Sequence, residues 1–244
     1  MKKFISLLFI FSVVPNLFAQ DDQIPKLSPA SVKYREYREA ISEPVYGLAK
    51  VKALVKKIKA DKEENHRMPQ GEYDALPFNE KFTYNMIHGE DATQNCDVMM
   101  GVVNEEKKIF GYTPDAFGGE VMWSDRQQDF FKNNRAKVIP LVRSTIMLRQ
   151  RVGVNFKELV TSYNLVELIP DLVKVYNIKK KDHDILTVLM ILMKEGNYPE
   201  FIKSASYVKL YGENSNYKGN LDATPANQKL IISRAMAFYK TKVK

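Results

Sequence analysis

Cysteine is all but missing from this chain of 244 residues: Cys96 stands alone, so no intrachain disulfide can close and stability must come from a packed core. Histidine is nearly as scarce. Only His66, His88 and His183 occur, and no serine sits in a GxSxG elbow, which argues against nucleophilic catalysis of the familiar kinds. There is no Walker or GxGxxG glycine loop, no HExxH pair and no paired CxxC, so no cofactor is expected. Beyond residue 20 no uninterrupted apolar stretch reaches the length of a membrane span. The greasiest, from Ile185 to Met193, is bounded by Asp184 and Lys194. β-branched runs such as Val102 and Val103 are too brief to specify a sheet, and no repeat of fixed period appears.

What is present begins with the first nineteen residues. Lys2 and Lys3 lead into an apolar run from Phe4 to Val14, then Pro15 and Ala19, the pattern of a cleaved secretory signal. The run is shorter than the about 20 apolar residues needed to cross a bilayer, so it reads as an address and not an anchor. The cut is expected after Ala19, although Leu17 is larger than an ideal site carries, and no Cys follows to take a lipid. The expected product is exported, periplasmic or secreted. Removing Lys2 and Lys3 takes the formal charge from +8 to +6, mildly basic. The lysines are spread along helices without glycine-interleaved aromatics, so no nucleic-acid partner is expected; a weak attraction to anionic envelope surfaces is all the charge allows.

Residues 20–30 are polar, with two prolines, and suit a flexible lead. From residue 31 the chain reads as one mainly α domain with a possible division near 90–122. The expected architecture is an irregular multi-helix bundle or a short α-solenoid-like array of helical hairpins, with 165–204 the most solenoid-like pair. Tyr34 and Tyr37 lie three apart in a charged helix over 31–41. Val45, Leu48, Val51, Leu54, Val55 and Ile58 then mark an amphipathic helix with a lysine stripe that reads as a solvated face. Residues 64–77 read as a connection, followed by a helix over 80–88 capped by Asn79 and closed by Gly89. Helical turns are expected at 94–100 and 105–110. Ser124 with Gln127 forms a capping box that starts a helix, Pro140 kinks it or divides it from a second over 141–151, and Gly153 ends that segment. Asn155 with Glu158, and Asn164 with Glu167, repeat the capping logic for 156–162 and 165–176. Residues 182–195 are apolar nearly all round and predict the central buried helix. Gly196 stops it, short helices come next over 199–204 and 206–210, and 212–222 reads as an exposed loop. Thr224 and Pro225 open the final helix.

Three constellations could carry chemistry. His88, Glu90, Asp91, Cys96 and Asp97 are all possible metal ligands within ten residues, but none falls at a recognised ligand spacing. Glu90 or Asp91 paired with Glu120 could serve a glycosidase, which needs two carboxylates. Tyr112, Phe117, Trp123 and Glu120 flank the Gly118-Gly119 turn, and Tyr207, Tyr211 and Tyr217 flank the Asn-rich loop. Tyrosine and tryptophan suit binding surfaces because they combine area with a polar handle. No catalytic residue can be named. The expectation is therefore a binding or interaction module for a protein or envelope polymer, acting through residues 89–123; the alternative is a hydrolase of an envelope or extracellular polysaccharide using carboxylates there.

Overall fold

The computed structural model describes residues 26–93 and 101–242. The protein is mainly helical, as its periodicity predicts. Among the described residues twelve α-helices run α1 (Pro29–Glu39), α2 (Leu48–Val55), α3 (Gln70–Ala75), α4 (Phe78–Ile87), α5 (Asp125–Asn133), α6 (Arg135–Arg149), α7 (Val154–Ser162), α8 (Ile169–Lys179), α9 (His183–Glu195), α10 (Pro199–Ile202), α11 (Ala205–Tyr211) and α12 (Pro225–Lys242). Short 3-10 turns lie at Glu105–Lys107, Ala116–Gly119 and Val166–Leu168. Among the described residues no helix is long and apolar enough to cross a membrane.

The apolar sequence of α9 forces it to the centre, because a helix with no polar face has nowhere else to go. It packs against α7, α8, α10 and α12, and Ile185, Leu186, Val188, Leu189, Met190, Leu192 and Met193 are all buried. Gly196 follows it, though not in the left-handed conformation of a glycine cap. Its role is room: a Cβ there would lie 2.3 Å from Cζ of the buried Phe238 on α12. A smaller apolar cluster of Val51, Met68, Tyr73, Leu76 and Tyr84 joins α2, α3 and α4.

Four short strands among the described residues tie the irregular centre down. β1 (Asp91–Ala92) pairs antiparallel with β3 (Val121–Met122), and β2 (Lys108–Phe110) with β4 (Asn220–Asp222), Ile109 opposite Leu221. The helical turn expected over 105–110 forms only in its first half, as the 3-10 turn Glu105–Lys107; β2 takes the second half, and β4 lies inside the stretch expected to be loop. The two strands lie about a hundred residues apart in the chain, beyond what local pattern encodes.

Other local expectations also change. α3 occupies part of the expected connection, started by Pro69, whose missing N–H costs nothing ahead of a first turn. Gly89 does not cap α4; it lets the backbone approach β3, where a Cβ would meet the Met122 carbonyl at 3.0 Å. The break before α6 falls at Asn134, not Pro140. The Asn134 side chain donates to the Phe130 carbonyl at 2.8 Å and so competes with the helix ladder. Pro140 remains inside α6, opposite the exposed Ala136, whose freed carbonyl can face water. Gly153 begins α7 instead of ending α6, and Pro170 lies in the first turn of α8. Asn155 is no cap: buried, it accepts from Ser42 N at 3.0 Å and donates to the Ser42 and Met86 carbonyls at 2.9 and 2.6 Å. The helical turn expected over 94–100 lies outside the described residues. The capping box at Ser124 and Gln127, the Thr224 cap and Pro225 form as read.

Candidate functional site

Helix α1 is charged on nearly every side, and of its residues only Ser31 and Arg38 are buried. With no apolar stripe, it must be seated by polar contacts. Arg38 supplies the main one: its Nε donates to both oxygens of Asp184 on α9 at 3.0 Å, and its Nη1 to Glu105 at 2.5 Å. Asp184 also meets Lys157 Nζ at 3.4 Å, and Lys157 donates to Asp182 at 2.7 Å. Glu105, Arg38, Asp184, Lys157 and Asp182 thereby form an unbroken file of alternating buried charges from α1 into the core. Burial would discharge Lys157, but the two aspartates outweigh it and hold its ammonium above the usual lysine range. Asp184 is likewise held below the usual carboxylate range: burial opposes ionisation, but Lys157 and Arg38 prevail. Asp182, at the end of the file, is pushed up by burial.

The outer end of this file opens to solvent in a cleft of about 450 Å³, open solvent included. Arg35, Arg38 and Glu39 project from α1 on one wall; Glu105 and Tyr112 line the other, and Tyr217 arrives from the Asn-rich loop. Arg35 Nε sits 3.7 Å from Glu39 and 3.5 Å from Glu105, longer than a hydrogen bond in both cases. Glu105 Oε2 accordingly has no hydrogen-bond partner among the described residues although it is buried. Glu39 is raised above its ordinary value by burial, with Arg35 opposing and Glu105 reinforcing. Tyr112 and Tyr217 are 46% and 41% exposed, large apolar faces left in water at one opening.

Of the residues singled out in the sequence as a binding surface around the Gly118-Gly119 turn, Tyr112 lies in this cleft and the others do not. Trp123 belongs to the core, a correction to its reading as surface. It is 5% exposed, packs edge-on against Phe131 at 5.0 Å and donates its indole N–H to the Asn85 carbonyl at 2.6 Å. Phe117 is half-buried against Trp123, and Glu120 is exposed on the turn leading to β3. Glu90 is fully buried and fully engaged, accepting from Tyr84 at 2.6 Å, Ser124 at 2.5 Å and two nitrogens of Arg126. Burial would raise it, but these donors hold it below the usual carboxylate range. With Asp91 bound to Arg67 and Glu120 exposed on its turn, the carboxylates expected for a glycosidase are each accounted for separately.

The proposed metal ligands are similarly dispersed in role. His88 bonds the His66 carbonyl at 2.6 Å and is kept neutral-leaning by burial, while Glu90 and Asp91 hold arginines. Cys96 and Asp97 lie outside the described residues. Among those described, no three His, Asp or Glu side chains gather as a metal site. Sequence reasoning missed Arg35, Arg38, Glu39 and Glu105. The available signal was α1 itself, a helix too polar to be held by apolar packing. In comparisons with protein-family models, curated proteins and solved structures, the chain matches none.

Proposed function

We propose that the protein is an exported binding module whose cleft between α1 and residues 102–114 takes a hydroxyl-rich ligand of the kind an envelope polysaccharide offers. The observation that carries this reading is the company Arg35 keeps. It lines the cleft with two carboxylates within 3.7 Å, committed to neither by a hydrogen bond, and with the exposed Tyr112 and Tyr217 on the same opening. A sugar ring offers acceptors to the arginine, donors to Glu39, and C–H faces to the tyrosines. Such amphipathic aromatics gain contact area with little entropy loss. The hydrolase alternative also finds its best carboxylates here, in Glu39 and Glu105, whose surroundings differ. Arg35 stands between them, however, which favours holding over cleaving.

The test is an array of neutral, amino and acidic oligosaccharides probed with the exported form and with Tyr112→Ala/Tyr217→Ala. Binding of one glycan class that weakens about tenfold in the variant, some 1.4 kcal/mol, with unchanged circular dichroism, is expected. Absence of glycan binding, or equal binding by both forms, refutes the reading. Release of shortened products from a bound glycan would favour the hydrolase.

A further inference from the structure

The lysines are spread along the sequence, but folding gathers one group of them. Helices α6 and α8 lie side by side and run the same way. Arg143 Nε on α6 donates to Asp171 on α8 at 2.8 Å, and about two turns further on Gln150 and Arg151 line a single opening with Lys179, Lys180 and Lys181. The C-terminal ends of both helices therefore share one face. The three consecutive lysines are exposed on it, as are Lys174 on α8 and Arg149 at the end of α6. Among the described residues none of these five cations makes a salt bridge. The acids beside them are already engaged: Asp171 with Arg143, Glu43 with Lys52, and Asp182 with Lys157 in the buried file. Lysines at helix C-termini also balance the helix dipole, and that accounts for part of the group. A helix end carries roughly half a negative charge, so the ends of α6 and α8 call for about one cation between them. The end of α1 is met separately by Arg151, which donates to the Tyr37, Ala40 and Ile41 carbonyls. Most of the charge on this face is thus left for something outside the molecule. The dipole explains neither Leu148, 64% exposed two residues before Gln150, nor Ile178, 44% exposed beside Lys179 and one turn from Lys174. A single exposed aliphatic residue is ordinary; two flanking one opening among unpaired cations form a surface.

We propose that this face docks the protein on an anionic lipid bilayer. The lysines and Arg149 reach the lipid phosphates, while Leu148 and Ile178 enter the boundary between headgroups and acyl chains. Charge complementarity selects an anionic surface. The two aliphatic side chains select a bilayer over a soluble anionic polymer, which has no apolar layer to receive them. Each lysine near such a surface is worth about fivefold in binding, and the attraction reaches about 10 Å at 0.1 M salt, so docking is reversible and salt-sensitive. Docking also leaves the cleft uncovered, because α1 stands between the two: Tyr37 lines the opening on this face, whereas Arg35 and Glu39 line the cleft.

The test is co-sedimentation of the exported form, free of the apolar residues 1–19, with vesicles of phosphatidylcholine alone and of phosphatidylcholine with about 30% phosphatidylglycerol, at low and high salt. Binding to the anionic vesicles only, lost at high salt, is expected. Lys179→Gln/Lys180→Gln/Lys181→Gln should weaken it on the order of a hundredfold, and Leu148→Ser/Ile178→Ser severalfold. Lys56→Gln/Lys57→Gln/Lys59→Gln removes the same charge beyond the end of α2 and should bind within about twofold of the natural chain. Circular dichroism checks each variant; should the first fail to fold, Lys174→Glu/Lys181→Glu on the same face should show the loss instead. No binding to anionic vesicles, equal binding to phosphatidylcholine alone, or an equal loss in the variant beyond α2 overturns the proposal. An apolar variant that binds as the natural chain does, with both held as tightly by soluble polyphosphate as by vesicles, assigns the face to an anionic polymer and overturns it too.

Discussion

Replacing Lys157 with Met tests the buried charge file where it is most exposed to failure. Lys157 is fully buried, and its ammonium is the contact between Asp182, at 2.7 Å, and Asp184, at 3.4 Å. Methionine fills similar volume, so little of the effect comes from a cavity; what changes is that two buried carboxylates lose their shared cation. Removing one partner of a buried pair costs about 3–5 kcal/mol, a large part of the roughly 5–15 kcal/mol that keeps a domain folded. At about 2–4 °C per kcal/mol for a chain of this size, Tm should fall on the order of 10 °C near neutral pH.

The pH dependence comes from the sign of each shift. In the natural chain Asp184 is held below its unfolded value, so its stabilisation is present at neutral pH and is lost as pH falls through that lowered value. Asp182, already raised by burial, rises further without Lys157, and Asp184 keeps only Arg38 to offset its own burial. Their penalty is then largest at neutral pH and disappears once both folded and unfolded chains are protonated. The gap should narrow as pH drops toward about 4, where the variant's penalty disappears, and close only below that, as Asp184 of the natural chain is protonated. Urea denaturation followed by circular dichroism at several pH values measures the gap directly. A deficit under about 1 kcal/mol at neutral pH, or one that does not shrink on acidification, would refute the account of the file.

Two further substitutions separate packing from binding. Trp123→Ala should cost about 3–5 kcal/mol, because it empties a buried indole site and strands the Asn85 carbonyl, and thermal unfolding will register it. Equal stability with lowered ligand affinity would instead return Trp123 to a surface. Gly153→Ala should destabilise by about 2 kcal/mol or more, since its Cβ would fall 2.1 Å from the Ser42 backbone nitrogen and neither backbone can yield cheaply. A Tm within a degree of the natural protein would show that the two segments separate freely.

Local pattern determined much of this protein by itself. The apolar circumference of 182–195 predicts the buried α9, the Ser124–Gln127 box and Thr224–Pro225 predict two helix starts, and the spacing of Val51 and its neighbours predicts α2, because those signals act within a turn or two of the chain. What sequence could not determine depends on partners far away. Whether the helical turn begun at 105–107 continues through 108–110 or gives way to strand turns on Asn220 to Asp222, and whether Asn155 caps its own helix or clamps Ser42 and Met86 turns on how α1 and α4 arrive. The same holds for function. Trp123 and Tyr112 are both aromatic residues near a glycine-rich turn, yet packing buries the first and leaves the second at the cleft. Arg35, Glu39 and Glu105 gain a shared meaning only because Arg38 draws a polar helix onto α9: charge pairing over more than a hundred residues leaves no periodicity to read, and only the folded chain brings the charges together.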